Sequence, residues 1–309
     1  MPVLKDRIVI EDITDAIAGR ANHKRFAAHA DYKDHEKIIF AESPEIGFKA
    51  FIGVHNTNLG QALGGCRFRS DYANEADALS DVLRLSRGMT YKNALANLDL
   101  GGGKSVLIGQ EKQNEPTKAQ LKALGYVIQT LNGIYVTAED MNMDVESMLT
   151  VREETEHVAG IPLAARKDLH IPANFDRSTF PDPNPSPYTA YGTYMGIKAA
   201  AKKRLGKDTL GGTTIAVKGA AGAVGAMLCE YLYNDGAKLI ISDRDSHPES
   251  QTRLEDIARK FQATKISSDA IIGEECDIFA PCATGGDIND QSLQTIKAVI
   301  IAGCANNVL

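Results

Sequence analysis

The chain has 309 residues, enough for about two domains of roughly 150 residues each. Hydrophobic residues make up 43% and charged residues 24%, which excludes a disordered chain and a small disulfide-stabilised fold. The net charge of −6 comes without a cluster of lysines and arginines, so nucleic acid is not expected as a partner.

The sequence also gives no indication of a membrane or a metal. No apolar stretch approaches the ~18 residues of a membrane span, and the first residues do not form a signal peptide. The cysteines are odd in number and form no Cys-x-x-Cys pair, which predicts reduced thiols, no metal site and a cytoplasmic location. They are Cys66, Cys229, Cys276, Cys282 and Cys304.

The first half of the chain alternates between helical and strand patterns. Apolar spacing predicts amphipathic helices over residues 75–96 and 117–132, the second stopped by Gly133. Short apolar runs at 105–108 and 135–138 predict buried strands. This alternation predicts an α/β domain with a mostly parallel sheet.

A shift in composition divides the chain. Six prolines crowd a polar stretch from 160 to 187, which cannot form a helix or a central strand. We therefore predict an N-terminal catalytic and oligomerisation domain at 1–160, a proline-rich junction loop at 161–188 and a nucleotide-binding domain at 189–309.

The last part of the chain predicts a Rossmann-type, doubly wound domain. It begins with a helix at 189–205 and continues with a strand, a glycine turn, a helix and further strands. These are predicted at 213–218, 219–225, 226–234, 238–243, 277–280 and 298–302.

The glycine turn predicts a dinucleotide site, with plain packing of the helix against the strand as the alternative. Gly219, Gly222 and Gly225 stand between a strand and a helix, where backbone N–H groups and the helix end can bind a pyrophosphate. Asp243 follows 24 residues after Gly219, at the tip of the next strand, where a carboxylate can bind ribose hydroxyls and repel a 2′-phosphate. NAD is therefore favoured over NADP, a preference that the neighbouring Arg244 tempers.

A second constellation lies in the first domain. Lys104 stands between three glycines and an apolar strand, so it is expected to be partly buried with a lowered pKa, as a neutral base. Lys92, at the end of a helix, can stay charged, hold a carboxylate and lower the pKa of Lys104 as a neighbouring like charge. Asp140 follows a strand, where it is a site residue or part of a helix N-cap or solvated turn.

Together these segments resemble the amino-acid dehydrogenases that act on glutamate, leucine, phenylalanine and valine, and among these they are especially similar to leucine dehydrogenase. The resemblance covers residues 53–309. It rests on LGGCR at 63–67, RGMTYKNA at 87–94, LGGGKSV at 100–106, TAED at 137–140, NPSPYT at 184–189, APCA at 280–283 and GCANN at 303–307.

The resemblance implies NAD-dependent, reversible oxidative deamination of an L-amino acid by a homo-oligomer assembled through the first domain. It implies that Lys92 binds the substrate carboxylate, Lys104 activates water and Asp140 moves protons to and from the amino group. Further residues implied in substrate binding are Gly64, Gly65, Leu63 and Met89, and those implied near the nicotinamide are Thr189 and Asn306.

Leu63 narrows the substrate class. Glutamate enzymes of the family carry a lysine at this position, and a side-chain carboxylate buried against Leu63 would lack a counter-charge. The expected substrate is therefore leucine, valine or isoleucine, with phenylalanine as the alternative.

The sequence departs from the family pattern in three places. The glycine turn has one residue more than the leucine enzymes have, the loop at 160–187 is longer, and the chain stops where family members continue. The expectation is either a fragment of a longer enzyme or a shortened product. A second hypothesis is therefore an inactive paralogue that binds only nucleotide or partner subunits.

Overall fold

The computed structural model describes residues 5–162, 184–306 and 308. The chain divides into two compact units, Met1–Pro183 and Asn184–Leu309. Residues 163–183, which contain most of the predicted junction loop, lie outside the described residues. The predicted domain limits therefore stay predictions. Within the described ranges, no helix combines the length and apolar character needed to cross a membrane.

The first unit is built on a six-stranded sheet with the order β1-β2-β3-β5-β4-β6. Its strands are β1 (Val9–Asp12), β2 (Lys37–Ser43), β3 (Phe48–Asn56), β4 (Ala62–Arg69), β5 (Gly101–Ile108) and β6 (Tyr135–Glu139). Its helices are α1 (Thr14–Ile17), α2 (Glu75–Leu95), α3 (Lys118–Thr130) and α4 (Val145–Arg152).

This sheet is mixed, so the prediction of a mostly parallel sheet is wrong for the first unit. The β1–β2, β2–β3 and β3–β5 pairs are antiparallel, and β5–β4 and β4–β6 are parallel. Only the last two strands, which follow helices, were predicted from the sequence. The first four were not predicted, and β2 and β3 are joined by a short turn that favours antiparallel pairing.

The predicted helices of the first unit are confirmed, and their ends have local causes. Asn74 caps α2 by accepting a hydrogen bond from the backbone N–H of Asp77 (3.0 Å). Thr117 and Gln120 form a capping box at the start of α3. Gly133, with φ of +83°, follows soon after the end of α3.

Apolar clusters bury both faces of the sheet. One cluster packs the sheet against α2, and its members include Phe40, Phe51, Val82, Leu83 and Val106. The other packs it against α3 and α4, and its members include Phe48, Phe68, Leu107, Leu124 and Met148. With both faces covered, any charged group within the central strands is withdrawn from water and needs a partner.

The second unit contains a parallel five-stranded sheet with the order β11-β10-β7-β8-β9. Its elements are α5 (Ser186–Leu205), β7 (Thr214–Lys218), α6 (Ala223–Asn234), β8 (Lys238–Ser242), α7 (Pro248–Lys260), β9 (Thr264–Lys265), β10 (Ile278–Pro281) and β11 (Ile300–Ile301). Strands alternate with helices as predicted, and the α/β class is confirmed for both units.

Several boundaries in the second unit differ from the prediction. Helix α5 begins at Ser186, inside the predicted junction, because a proline is tolerated in a first helical turn. Helix α6 begins at Ala223, so Gly225 is helical. Strand β11 has only two residues, and α7 and β9 were missed altogether.

Candidate functional site

Lys104 lies in the interior of β5, whereas the sequence predicted it just ahead of the strand. Strand β5 begins at Gly101 and pairs with β3 on one side and β4 on the other. A Cβ at Gly102 would lie 2.1 Å from Oγ1 of Thr90, and a Cβ at Gly103 would lie 2.5 Å from Cδ2 of Tyr135. The glycines therefore let neighbouring groups pack against the strand, which leaves Lys104 only 4% exposed.

The ammonium of Lys104 and the guanidinium of Arg67 both contact the same oxygen of Asp140. Nζ of Lys104 lies 2.9 Å from Oδ2 of Asp140, the residue directly after β6. Nε of Arg67, on β4, donates to the same oxygen at 2.9 Å. Because β4 lies between β5 and β6 in the sheet, the strand order itself brings these three residues together.

Burial and neighbouring charges shift the pKa values of Lys104 and Asp140 in this cluster. Burial lowers the pKa of Lys104, Asp140 raises it in part, and Arg67 lowers it further. Burial alone would raise the pKa of Asp140, but the positive charges of Lys104 and Arg67 hold it below its usual value. The arrangement favours an ionised carboxylate beside an amine that can lose its proton.

The structure adds two residues, Arg67 and Asp81, to the site predicted from the sequence. Burial and the lowered pKa of Lys104 agree with it, but the cation that contributes to this shift is Arg67 rather than Lys92. Arg67 was quoted only as the last residue of a glycine motif, and Asp81 of α2, which pairs with it at 3.0 Å, was missed. Arg67 stands between Cys66 and Phe68 in an apolar, glycine-containing run, and a charged residue in such a run was the available signal.

The predicted glycines lie against this cluster. A Cβ at Gly65 would lie 2.8 Å from Cβ of Asp140. A Cβ at Gly64 would lie 1.7 Å from the carbonyl oxygen of Gly103 and 3.1 Å from Cγ of Met89. The structure thus places Gly65 against Asp140, and Met89 against the neighbouring Gly64.

Lys92 and Leu63 lie on the same elements as these residues. Lys92 is exposed in the last turn of α2, three residues after Met89 and therefore on a similar face of the helix. Leu63 is half-buried on β4, next to Gly64. Their roles in substrate binding stay predictions.

The glycine turn of the second unit depends on close backbone contacts. Gly219 has φ of +89°, and a Cβ at Gly225 would lie 2.0 Å from the carbonyl oxygen of Gly219. Gly222 is the exposed N-cap of α6, a helix of 12 residues. The first N–H groups of a helix lack partners within the helix, so this end can bind an anion.

Asp243, directly after β8, is tied to this turn. Its Oδ2 accepts a hydrogen bond from the backbone N–H of Ala221 and its Oδ1 accepts one from that of Arg244, both at 2.8 Å. The side chain is buried, with the residue 8% exposed. A carboxylate has about four acceptor sites, so further acceptor capacity remains.

Two residues predicted near the nicotinamide also lie in the second unit. Thr189, in the first turn of α5, is exposed and donates its hydroxyl to the carbonyl oxygen of Pro185 (2.9 Å). Asn306 is half-buried near the last described residues. Over the described ranges, no group of three or more metal-ligating side chains is found.

The known proteins to which this chain is similar belong to one family. Residues 35–157 match the family model described as the Glu/Leu/Phe/Val dehydrogenase dimerisation domain. A leucine dehydrogenase from Thermoactinomyces intermedius is 46% identical, over 89% of this chain and 69% of its own length. A phenylalanine dehydrogenase from Caldalkalibacillus thermarum is 38% identical, over 89% of this chain and 70% of its own length.

Solved structures show the same architecture. The crystal structure of L-tryptophan dehydrogenase from Nostoc punctiforme has a TM-score of 0.62 and 38% identity, covering 89% of this chain and 72% of that one. A hetero-hexameric glutamate dehydrogenase from Thermus thermophilus has a TM-score of 0.61 at 17% identity, covering 98% and 67%, which shows the fold alone. The resemblance found in the sequence motifs is confirmed.

Proposed function

This chain belongs to the Glu/Leu/Phe/Val dehydrogenase family, and on that premise we propose that it catalyses the reversible oxidative deamination of an apolar L-amino acid with NAD. The observation that carries the proposal is the buried contact of Lys104 with Asp140, 2.9 Å apart, beside Gly65. This contact supplies a base and a carboxylate at one place, which deamination requires.

The proposed roles follow from the surroundings of each group. Lys104, whose pKa burial lowers, takes a proton from the water that attacks the carbon of the substrate imine. Asp140, half-buried and held ionised, accepts a proton from the substrate ammonium and returns one as ammonia leaves. The exposed ammonium of Lys92 binds the substrate carboxylate.

The second unit fits a nicotinamide dinucleotide, a cofactor class common to this family. The exposed N-terminus of α6 would hold the pyrophosphate, and Asp243 would accept hydrogen bonds from ribose hydroxyls. When bound, the nicotinamide supplies a hydride acceptor. We propose NAD rather than NADP because a 2′-phosphate would approach the carboxylate of Asp243.

Asp243→Ala tests the cofactor assignment. We expect the Kd for NADH to rise about tenfold and the preference for NADH over NADPH to shrink, since one charge-assisted hydrogen bond contributes roughly 1.5–3 kcal/mol. Binding of both nucleotides can be followed by their fluorescence.

A control for this measurement is Asp208→Ala, an exposed carboxylate of the same unit that pairs with Lys202 ahead of β7. Because Asp243 also accepts from the N–H of Ala221, part of the expected loss comes from the turn. Unchanged affinity for both nucleotides in Asp243→Ala would remove Asp243 from the cofactor site.

The proposed substrates are leucine, valine and isoleucine. The matched leucine dehydrogenases are 44–46% identical to the chain, and a phenylalanine and a tryptophan dehydrogenase are each 38% identical. The half-buried Leu63 beside Gly64 also supports an apolar substrate, because a second carboxylate there would lose water without gaining a counter-charge. Phenylalanine is the second candidate.

Leu63→Lys is expected to shift the preference towards glutamate. We expect kcat/KM for leucine to fall at least about tenfold, while glutamate becomes measurable, because a buried charge favours the substrate that neutralises it. Leu63→Met, which keeps size and polarity, is the matched control. An unaltered ratio of leucine to glutamate turnover in Leu63→Lys would show that Leu63 does not face the substrate side chain.

Turnover of the purified 309-residue chain tests the proposed function itself. NADH formation is measured with NAD and, in separate reactions, leucine, valine, isoleucine, phenylalanine and glutamate. Activity on the branched-chain amino acids, with little on glutamate, supports the proposal. A folded chain that binds NADH but is inactive with all five would instead support the paralogue without turnover.

The chain's assembly and location are part of the same proposal. The match to a dimerisation domain at residues 35–157 supports a homo-oligomer formed through the first unit. The five cysteines are free thiols, which supports the reducing environment of the cytoplasm. Sedimentation of the purified chain would measure the oligomer size.

A further inference from the structure

Arg67 has no task in the proposed reaction, although it is buried almost as completely as Lys104. The residue is 7% exposed, against 4% for Lys104. Withdrawing a guanidinium from water is costly unless hydrogen bonds and opposite charges compensate for it. Its position in the centre of the charged cluster therefore needs a reason, and its contacts provide one.

The guanidinium joins two elements of the first unit. Its Nε donates to Oδ2 of Asp140 at 2.9 Å, and its Nη1 donates to Oδ2 of Asp81 at 3.0 Å. The hydroxyl of Tyr72 donates to the same Asp81 oxygen at 2.7 Å, which holds the Asp81 carboxylate in place. A planar, rigid guanidinium held by Asp81 on α2 thus sets the position of the Asp140 carboxylate after β6.

Arg67 also acts on Lys104 through its charge. Nε of Arg67 and Nζ of Lys104 both lie 2.9 Å from one oxygen, so they are at most about 6 Å apart, within the range in which one charge affects the protonation of another. Asp140 alone would favour the protonated amine. A guanidinium stays charged at all relevant pH values and therefore offsets that preference.

We propose that Arg67, anchored by Asp81, is a positioning residue that fixes the Asp140 carboxylate and keeps the Lys104 amine available in its uncharged form. This inference rests on the proposed deamination, in which Lys104 is the base. The titratable and charged groups around Lys104 come from β4, from the end of β6 and from α2. They are Arg67 and Cys66 on β4, Asp140 directly after β6, and Asp81 on α2 behind Arg67.

The test is the pH profile of kcat/KM for Arg67→Met and Arg67→Lys. Loss of the guanidinium charge should move the midpoint of the acid limb upwards by about one pH unit, because protonated Lys104 is then opposed only by burial. At neutral pH kcat should fall about tenfold, with little change in KM. Arg67→Lys, which keeps the charge without the planar fork, should retain the wild-type midpoint and recover part of kcat.

Arg25→Met is the matched control. Arg25, in the same unit, also joins two carboxylates, since its Nη1 donates to Glu42 at 2.8 Å and its Nε donates to Glu75 at 2.9 Å. Its replacement should leave the midpoint unchanged. If Arg67→Met does not fold, Arg67→Gln, which keeps a donor for Asp140, carries the same test. A wild-type midpoint in the folded neutral variant would overturn the proposal and leave Arg67 a purely structural role.

A second measurement separates this inference from the proposed function. NMR titration of isotope-labelled lysine, with the Lys104 signal assigned by its loss in Lys104→Arg, reports its pKa without turnover. An upward shift of that pKa in Arg67→Met supports the action of Arg67 even if the wild type deaminates no amino acid. An unshifted pKa contradicts it, whatever the activity.

Discussion

Replacing Lys104 by methionine is expected to reduce kcat at least about a hundredfold while the fold and nucleotide binding persist. A positioned acid or base contributes roughly 10²–10⁴ to a rate, and methionine fills the volume of the side chain without an amine. The fold persists because Asp140 keeps its partner Arg67 at 2.9 Å. The glycine turn and Asp243 belong to the other unit, so the Kd for NADH should not change.

The pH dependence of this variant has a defined sign. Because only the uncharged amine of Lys104 acts as a base, kcat/KM of the wild type should rise with pH through the lowered pKa of that group. In Lys104→Met this rise should disappear. The measurement is the initial rate of NADH formation between pH 6 and 10, about the range over which a lysine with a lowered pKa titrates.

Lys49→Met is the matched control for Lys104→Met. Lys49 lies on β3 of the same sheet and pairs with Glu75 at 2.6 Å, partly in contact with water. An ion pair of this kind contributes about 0–1 kcal/mol, so activity and its pH dependence should be preserved. Equal, near-wild-type rates for both variants would exclude Lys104 from the chemistry.

Gly64→Ala is expected to lower the free energy of unfolding by more than about 3 kcal/mol, or to prevent folding. The added Cβ would stand 1.7 Å from the carbonyl oxygen of Gly103, which belongs to the adjacent backbone of β5. Backbone atoms in a central strand pair cannot move aside as a flexible side chain can. Urea unfolding followed by circular dichroism measures the loss.

Gly88→Ala provides the contrast for Gly64→Ala. Gly88 lies inside α2, and a Cβ built on it meets no atom within 4 Å. Alanine is the better helix former, so this variant should be more stable by about 0.5–1 kcal/mol. If both alanine variants had wild-type stability, the close approach of β4 and β5 at Gly64 would be incorrect.

The sequence predicted those features whose causes are local. Helices α2 and α3 follow from apolar spacing and from the capping residues Asn74 and Thr117, which lie next to the turns they stabilise. The second unit follows from strands and helices that alternate around the Gly219–Gly225 turn. Short-range patterns of this kind are visible in any stretch of about ten to twenty residues.

Only part of the candidate site could be predicted from such short-range patterns in the sequence. Lys104 and Asp140 were named from their motifs, and the structure brings them within 2.9 Å of each other. Arg67 was passed over because nothing near it in the chain indicates its partners: Asp81 lies 14 residues away and Asp140 lies 73 residues away. The antiparallel strands β1–β3 were missed for a similar reason, since their pairing is set by neighbours across the sheet.

By itself, then, the sequence determined the α/β class, the family and the residue types that carry the proposed chemistry, because glycine turns, helix caps and reactive side chains act over a few positions. Only the tertiary structure decided that β4 lies between β5 and β6, and hence that Lys104 and Arg67 both contact one oxygen of Asp140. Protonation in that cluster depends on burial and on charges within about 6 Å, and both are set by chain segments that meet only after folding.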